Sequence, residues 1–219
     1  MTDCLYGVYG TGGYGRQVMP LARQQLIKLG VSPEQLVFID DSGEQSKVNG
    51  QRVLTYGEFV KSPERTKYVA IAIANSQVRE NLVQKLQIDG VHSWAIRDAN
   101  VVLMDDVEIG EGSILSSFVL VTSNIKIGRF FQANHYSHVA HDCVIGDFVT
   151  FAPGVRCNGN VVIEDHAYIG TGAILRQGTP EKPLIIGKNA VVGMGAVVTK
   201  DVPPDTTVVG NPARPLVRD

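Results

Sequence analysis

Two hydrophobic rhythms follow one another along the 219-residue chain. Together they predict an α/β N-terminal domain of Rossmann-like type over residues 1–97 and a left-handed parallel β-helix of hexapeptide repeats over 98–219. The first rhythm alternates short apolar runs with amphipathic stretches. The second places an apolar residue at every sixth position, a period that neither a helix (3.6) nor a half-buried strand (2) produces.

In the first half, the run Leu5–Tyr9 ends in glycines and reads as a buried strand. Residues 14–29 carry Val18, Leu21, Ala22, Leu26 and Leu29 at helical spacing. Leu36–Ile39 is a second strand closed by Asp40 and Asp41, Tyr68–Ala74 a third, and Trp94–Ile96 a fourth. Between the last two, Gln77–Ile88 is a helix with Val78, Leu82 and Leu86 on one stripe. Strand–helix–strand order implies a parallel sheet with helices on its faces.

In the second half the ladder runs Leu103, Ile109, Leu115, Val121, Ile127, Ala133, Val139, Ile145, Phe151, Cys157, Ile163, Ile169, Leu175. Small residues follow many of these, among them Gly110, Gly128, Gly146 and Gly170, and they are expected to take left-handed angles at corners. Three hexapeptides close one eighteen-residue coil, and coils stack at about 4.8 Å. The register breaks once, between Leu175 and Ile186, where Arg176–Leu184 reads as a surface loop. Pro203 and Pro204 are expected to end the ladder, with Val208–Leu216 packing back as a cap.

The composition narrows the function. A formal net charge of -2 gives no reason to expect nucleic acid or an anionic membrane as a partner. No apolar run approaches the roughly 18 residues of a membrane span. The first residues lack the basic start and apolar stretch of a signal peptide, and Cys4, Cys143 and Cys157 have no metal-type spacing. A cytoplasmic protein with free thiols is the expectation.

Two motifs carry chemistry. Gly10, Gly12 and Gly15 fit G-x-G-x-x-G between a strand and a helix, where glycines permit a tight turn and a helix N-terminus holds phosphate. Alone this suggests a dinucleotide site with Asp40 on a ribose, although about 97 residues are few for two mononucleotide-binding halves. Glycines that merely allow helix–sheet packing are the plain alternative. The second motif holds His135, His138 and His141 within seven residues. That spacing suits zinc on paper, but the ladder spreads the three around a coil, so no metal is expected. His135 and His138 read as surface or packing residues. Position 159 falls one coil beyond 141, so Gly159 is expected to stack on His141, either as a turn residue or as room for a reacting group.

The stretch Ile186–Leu216 (IGKNAVVGMGAVVTKDVPPDTTVVGNPARPL) resembles the end of hexapeptide-repeat acyltransferases. With YGTGGYGR near the start and HDCVIGDFVTFAPGVRCNGNV from His141, the chain is similar to bacterial nucleotide-sugar N-acetyltransferases acting on 4-amino-4,6-dideoxy sugars, and to sialic acid O-acetyltransferases. The resemblance covers essentially the whole chain. It implies a homotrimer with acetyl-CoA as co-substrate between neighbouring subunits, no metal, and a nucleotide-linked amino sugar as acceptor, with dTDP or UDP favoured and GDP admitted. It implies that His141 is the general base, Asp142 its orienting partner and Gly159 an oxyanion donor. The nucleotide sugar would meet Gly10, Gly12, Gly13, Tyr14, Gly15, Asp40, Asp41, Ala74, Asn75 and Ser76. Tyr14 stands where some relatives carry histidine. Acetyl-CoA would meet mostly main chain at Thr171, Gly172, Gly193, Gly195 and Ala196, with Lys200 and Arg214 on its phosphates. Thr150 stands where relatives often place a second histidine. Sugar O-acetylation, a non-catalytic nucleotide-binding trimer and, more distantly, an NAD-dependent enzyme are the competing readings.

Overall fold

The computed structural model describes residues 3–216. The chain divides into two compact units, 1–97 and 98–219.

In the first unit, β1 (Cys4–Tyr9) leads through α1 (Gly13–Lys28) to β2 (Leu36–Ile39). A short hairpin of β3 (Lys47–Val48) and β4 (Gln51–Leu54) follows, then α2 (Tyr56–Lys61), β5 (Thr66–Ile71), α3 (Ser76–Ile88) and β6 (His92–Ser93). The sheet order is β3-β4-β2-β1-β5-β6. All pairings are parallel except β3 with β4, so an antiparallel edge strand completes a sheet expected to be wholly parallel. The hairpin was not foreseen, yet Asn49 and Gly50 both take positive φ (49° and 77°), the pattern of a two-residue Asn-Gly turn. α2 was missed as well, although Thr55 and Glu58 form a capping box at its start. The fourth strand falls at His92–Ser93 rather than Trp94–Ile96. Trp94 leaves the strand to pack edge-on against Tyr6, ring centroids 5.0 Å apart.

β1 lies between β2 and β5, so the chain crosses from one side of the sheet to the other at that point. In open α/β sheets, ligands bind at such a crossing, outside the carboxyl ends of the strands. Gly10 and Ile73–Ser76 sit there. A Cβ on Gly10 would stand 3.1 Å from the Ala72 carbonyl, and one on Gly15 would collide with the carbonyl of Gly10. The two glycines let the turn close against β5 and α1 start beneath it.

The second unit is the left-handed β-helix. Its strands form three parallel faces. Face one includes Gln132–Ala133, Thr150–Phe151, Tyr168–Ile169 and Val191–Val192; face two His138–Val139, Arg156–Cys157, Ile174–Leu175 and Val197–Val198; face three Ile125–Ile127, Val144–Ile145, Val161–Ile163 and Leu184–Ile186. Partners are one eighteen-residue coil apart, as in His138 with Arg156 and Lys126 with Val144. The sixth-residue ladder from Leu115 to Leu175 forms a continuous buried core, with Leu103 and Ile109 packed partly buried against its end. Burying such side chains stabilises by about 1.5–3 kcal/mol each, which is why the period is so strict. The ladder also continues past the prolines. Val202 bridges Ile186 and Val208 pairs with Val192, so Thr207–Val209 is another rung, and Arg214–Pro215 turns back antiparallel on it.

The corners differ from expectation. The left-handed residues lie three positions after the ladder residues, not one, with Leu175, where the loop begins, the exception. Asp106, Asn124, Asp142 and Asn160, with φ between 52° and 60°, form one column of them. Gly110, Gly128 and Gly146 instead serve close stacking: a Cβ on Gly110 would lie 2.6 Å from the Arg129 backbone N, and one on Gly146 2.7 Å from that of Asp165. Bulky residues such as Phe118 and Tyr136 also take left-handed angles, and their rings stack 5.1 Å apart from coil to coil.

Candidate active site

His141 and Asp142 occupy the corner between faces two and three. Asp142 has φ 59°, which Asp tolerates better than most residues because its short polar side chain bonds locally. Its N–H donates to the Ser123 carbonyl one coil below (3.2 Å). From that fixed corner its carboxylate takes two partners. Oδ2 lies 2.7 Å from His141 Nδ1, and Oδ1 accepts from Asn124 Nδ2 at 3.2 Å. The His141 contact first, then Asn124, hold the Asp142 carboxyl below the usual carboxylate range. A carboxylate at Nδ1 favours the tautomer with the proton there, leaving Nε2 as acceptor.

Gly159 lies on the other side of the imidazole. A Cβ there would stand 2.5 Å from His141 Cε1 and 2.6 Å from Nε2, so only glycine leaves the ring where it is. The neighbouring N–H groups of Asn158 and Asn160 are engaged with Leu175 and His141 carbonyls, whereas the Gly159 N–H takes no part in that ladder. The loop after Leu175 rises from the same corner: Gly178 donates to the Gly159 carbonyl, and Thr179 and Lys182 close a small hairpin. That loop adds five residues to the coil, so Val162 pairs with Ile185. Beneath the corner Cys143 and Cys157 are buried free thiols with Sγ atoms 3.9 Å apart. Among the described residues, no group of three or more His, Cys, Asp or Glu could hold a metal ion. His138 stands beside Arg156, and burial first, then that charge, lowers its pKa. His135 rests edge-on against Tyr136.

The residues assigned to acetyl-CoA are not brought together. Thr150 is 3% exposed and lies on face one, across the coil from the His141 corner. Thr171, Gly172, Gly193, Gly195 and Ala196 lie at the corner between faces one and two. The expected main-chain donors there are engaged: the N–H groups of Gly172, Gly193, Gly195 and Ala196 bond to Pro153, Val208, Thr171 and Gly193 carbonyls. The Thr171 and Gly193 carbonyls there accept from Gly195 and Ala196, whereas the N–H groups of Thr171 and Met194 take no part in that ladder. Lys200 is exposed on the His141 corner, beyond the hairpin, and Arg214 is exposed with its guanidinium on the Ala213 carbonyl.

In the first unit, Gly12 and Gly13 are exposed at the start of α1 with open space where a Cβ would be, and α1 has no side-chain cap. The helix start at Gly12 and Gly13 is therefore accessible to an anion. Asp40 accepts from Thr11 Oγ1 and the Ser42 N–H. Burial pushes its carboxyl up, but these bonds outweigh that and hold it below the usual range. Asp41 accepts from Tyr9 Oη (2.6 Å) and the Tyr56 N–H (2.8 Å) and forms an ion pair with Lys85 at 3.8 Å. It ties β2 to α2 and α3, a structural engagement that leaves less of it for a nucleotide. The Asn75 side chain caps α3 through the Val78 N–H (3.0 Å) rather than standing free, and Ser76 begins that helix. Arg79, which no sequence motif marks, has a fully buried guanidinium that donates to the Ile73 and Ala74 carbonyls. Burial pushes its pKa down to about 10, with Tyr14 pulling the other way.

Comparison with known proteins shows what this architecture belongs to. Residues 7–86 match the family model of the PglD N-terminal domain. Over 214 residues, 98% of this chain and 97% of the relative, the sequence is 52% identical to a GDP-perosamine N-acetyltransferase of Escherichia coli O157:H7. The chain belongs to the hexapeptide-repeat sugar N-acetyltransferases. Among solved structures of these N-acetyltransferases and their kin, WeeI from Acinetobacter baumannii AYE superposes with a TM-score of 0.95 at 62% identity, covering 97% of this chain and all of that one. The acetyltransferase domain of PglB from Neisseria gonorrhoeae FA1090, in complex with acetyl coenzyme A, superposes at 0.83 with 29% identity, covering 99% and 100%. No helix among the described residues of this N-acetyltransferase is long and apolar enough to cross a membrane.

Proposed function

We propose that the chain transfers the acetyl group of acetyl-CoA to the amino group of a GDP-linked 4-amino-4,6-dideoxyhexose of the GDP-perosamine type, serving surface-glycan assembly in the cytoplasm. The observation that carries this reading is the stack of Asp142, His141 and Gly159 at one corner. The expectation from the resemblance leaned to dTDP or UDP as carrier, with GDP admitted. The 52% identical relative is named for a GDP sugar, and the carrier is reassigned accordingly.

In this mechanism His141 Nε2 takes the proton from the sugar amine as its nitrogen attacks the thioester carbonyl. General-base catalysis of this kind contributes roughly 10²–10⁴-fold. Asp142 holds the tautomer and stabilises the imidazolium that forms. The Gly159 N–H, free of the coil ladder, donates to the oxyanion of the tetrahedral intermediate. Collapse expels the CoA thiolate, and the imidazolium returns the proton to it. No metal is required, because a thioester is already activated. The N-terminus of α1, accessible at Gly12 and Gly13, receives the diphosphate near Tyr14, with Asp40 beside it. The resemblance supports a homotrimer, with acetyl-CoA between neighbouring subunits near Thr171, Lys200 and Arg214.

The test is an acceptor panel followed by CoA release: GDP-, dTDP- and UDP-linked 4-amino sugars, and sialic acid as a hydroxyl acceptor. Turnover with the GDP-linked amine is expected. Turnover confined to a dTDP or UDP amine would overturn the carrier, and turnover confined to sialic acid would overturn amine acetylation.

A further inference from the structure

The eighteen-residue step that sets Gly159 on His141 also sets Asn124 under Asp142. Both residues are left-handed, with φ 60° and 59°, so their short side chains leave the corner in the same direction. Asn124 is itself fixed from below, its N–H bonded to the Asp105 carbonyl (3.1 Å). Its amide Nδ2 then reaches Asp142 Oδ1 at 3.2 Å, while Oδ2 faces His141 Nδ1 at 2.7 Å. A carboxylate held by only one oxygen still turns about its χ2 bond, a broad torsion. Held by both, it presents one oxygen to the imidazole. The Asp142 side chain is 44% exposed, so water competes for any oxygen the protein does not occupy.

We propose that Asn124 is a positioning residue for the acetyl transfer: it clamps Asp142 so that His141 keeps Nε2 directed at the amine. This rests on His141 being the base. Asn124 touches neither substrate and acts through Asp142 alone.

The molecule supplies its own control. Asn189 (φ 57°) donates from Nδ2 to Asp205 Oδ1 at 2.9 Å, the same coil-to-coil Asn–Asp pair on another corner with no histidine attached. If the pair only staples coils, losing either should matter equally. Replacement by glycine deletes the donor at no backbone cost, because glycine adopts φ near 60° freely. Asn124→Asp keeps shape and left-handed tolerance but turns the donor into an acceptor.

The experiment compares Asn124→Gly, Asn124→Asp and Asn189→Gly in the full chain by steady-state kinetics and by nitrogen-15 NMR of the histidine rings. The His141 signal is the one absent from His141→Ala. For both Asn124 variants the expected result is a fall in kcat of about tenfold, the scale of a small misplacement of a reacting group. KM for both substrates should stay within about twofold of wild type under the same positioning argument. The His141 ring signals should lose the Nδ1-protonated pattern, whereas Asn189→Gly should match wild type in both readouts. Wild-type kcat and an unchanged His141 tautomer in Asn124→Gly would overturn the proposal, as would an equal loss in Asn189→Gly. If His141→Ala itself turns over normally, the base assignment fails instead, and the NMR pattern still decides whether Asn124 orients the ring.

Discussion

Gly159→Ala is a stringent probe of the site. The new methyl would stand 2.5 Å from His141 Cε1, 2.6 Å from Nε2 and 3.0 Å from Nδ1. Carbon contacts settle near 3.5 Å, so the ring must retreat by about 1 Å. The retreat must strain or break the 2.7 Å contact with Asp142, but no packing opposes it, because the His141 side chain is 49% exposed and can move toward water. The backbone at 159 is outside the left-handed region, so alanine fits there. It even gains about 0.4–1 kcal/mol by restricting the unfolded chain. Stability should therefore stay within about 1 kcal/mol of wild type, read by thermal or denaturant unfolding. Catalysis should not: a 1 Å displacement of a reacting group costs about 10²-fold, or roughly 2.7 kcal/mol in the barrier. The assay is CoA release with a GDP-linked amino sugar, alongside the unfolding curve. A kcat within threefold of wild type would refute the reasoning. So would a collapse of stability parallel to activity, since Gly159 would then be a packing glycine like those at other corners.

The other predictions separate packing from chemistry. Gly146→Ala sets a methyl against the Asp165 carboxylate and 2.7 Å from its backbone N, and the backbone contact cannot swing away. It should lower stability by about 1–3 kcal/mol while kcat per folded molecule is preserved, measured by unfolding and active-site titration. Tyr9→Phe removes the hydroxyl on Asp41. Burial pushes the Asp41 carboxyl up, but Tyr9, the Tyr56 N–H and Lys85 together hold it below its ordinary value. That stability is present above the unfolded carboxylate pKa and is lost as pH falls through the folded one. The variant should therefore be about 1 kcal/mol less stable at pH 7, discounted for the exposure of Asp41, and the difference should shrink as pH falls through the depressed pKa of the folded carboxyl.

What could be read in advance divides along physical lines. The ladder was legible because one geometric rule acts on every coil: a side chain pointing inward meets the same column eighteen residues away, and only apolar groups fit. The same arithmetic places residue 159 over 141, and it would have placed Asn124 under Asp142 had it been run downward. The corner angles were misassigned by two positions, because glycine serves close approach as well as positive φ, and a sequence does not say which. The edge hairpin announced itself only through Asn49-Gly50, and α2 only through Thr55 and Glu58, signals outweighed by the lack of a long apolar pattern. Donor-site residues were the least legible. Whether Gly193 or Ala196 has an N–H to offer depends on which coil carbonyl already accepts it, and composition carries no trace of that. Arg79 was invisible for a related reason: a lone arginine on an amphipathic helix reads as a solvated charge until two carbonyls are seen around it.

The central claim is that this corner of the β-helix carries the base for acetyl transfer to a GDP-linked amino sugar. The direct measurement is kcat/KM of His141→Ala with acetyl-CoA and GDP-perosamine, on protein whose unfolding curve matches wild type. The account predicts a fall of about 10²–10⁴-fold. Turnover close to wild type would contradict it.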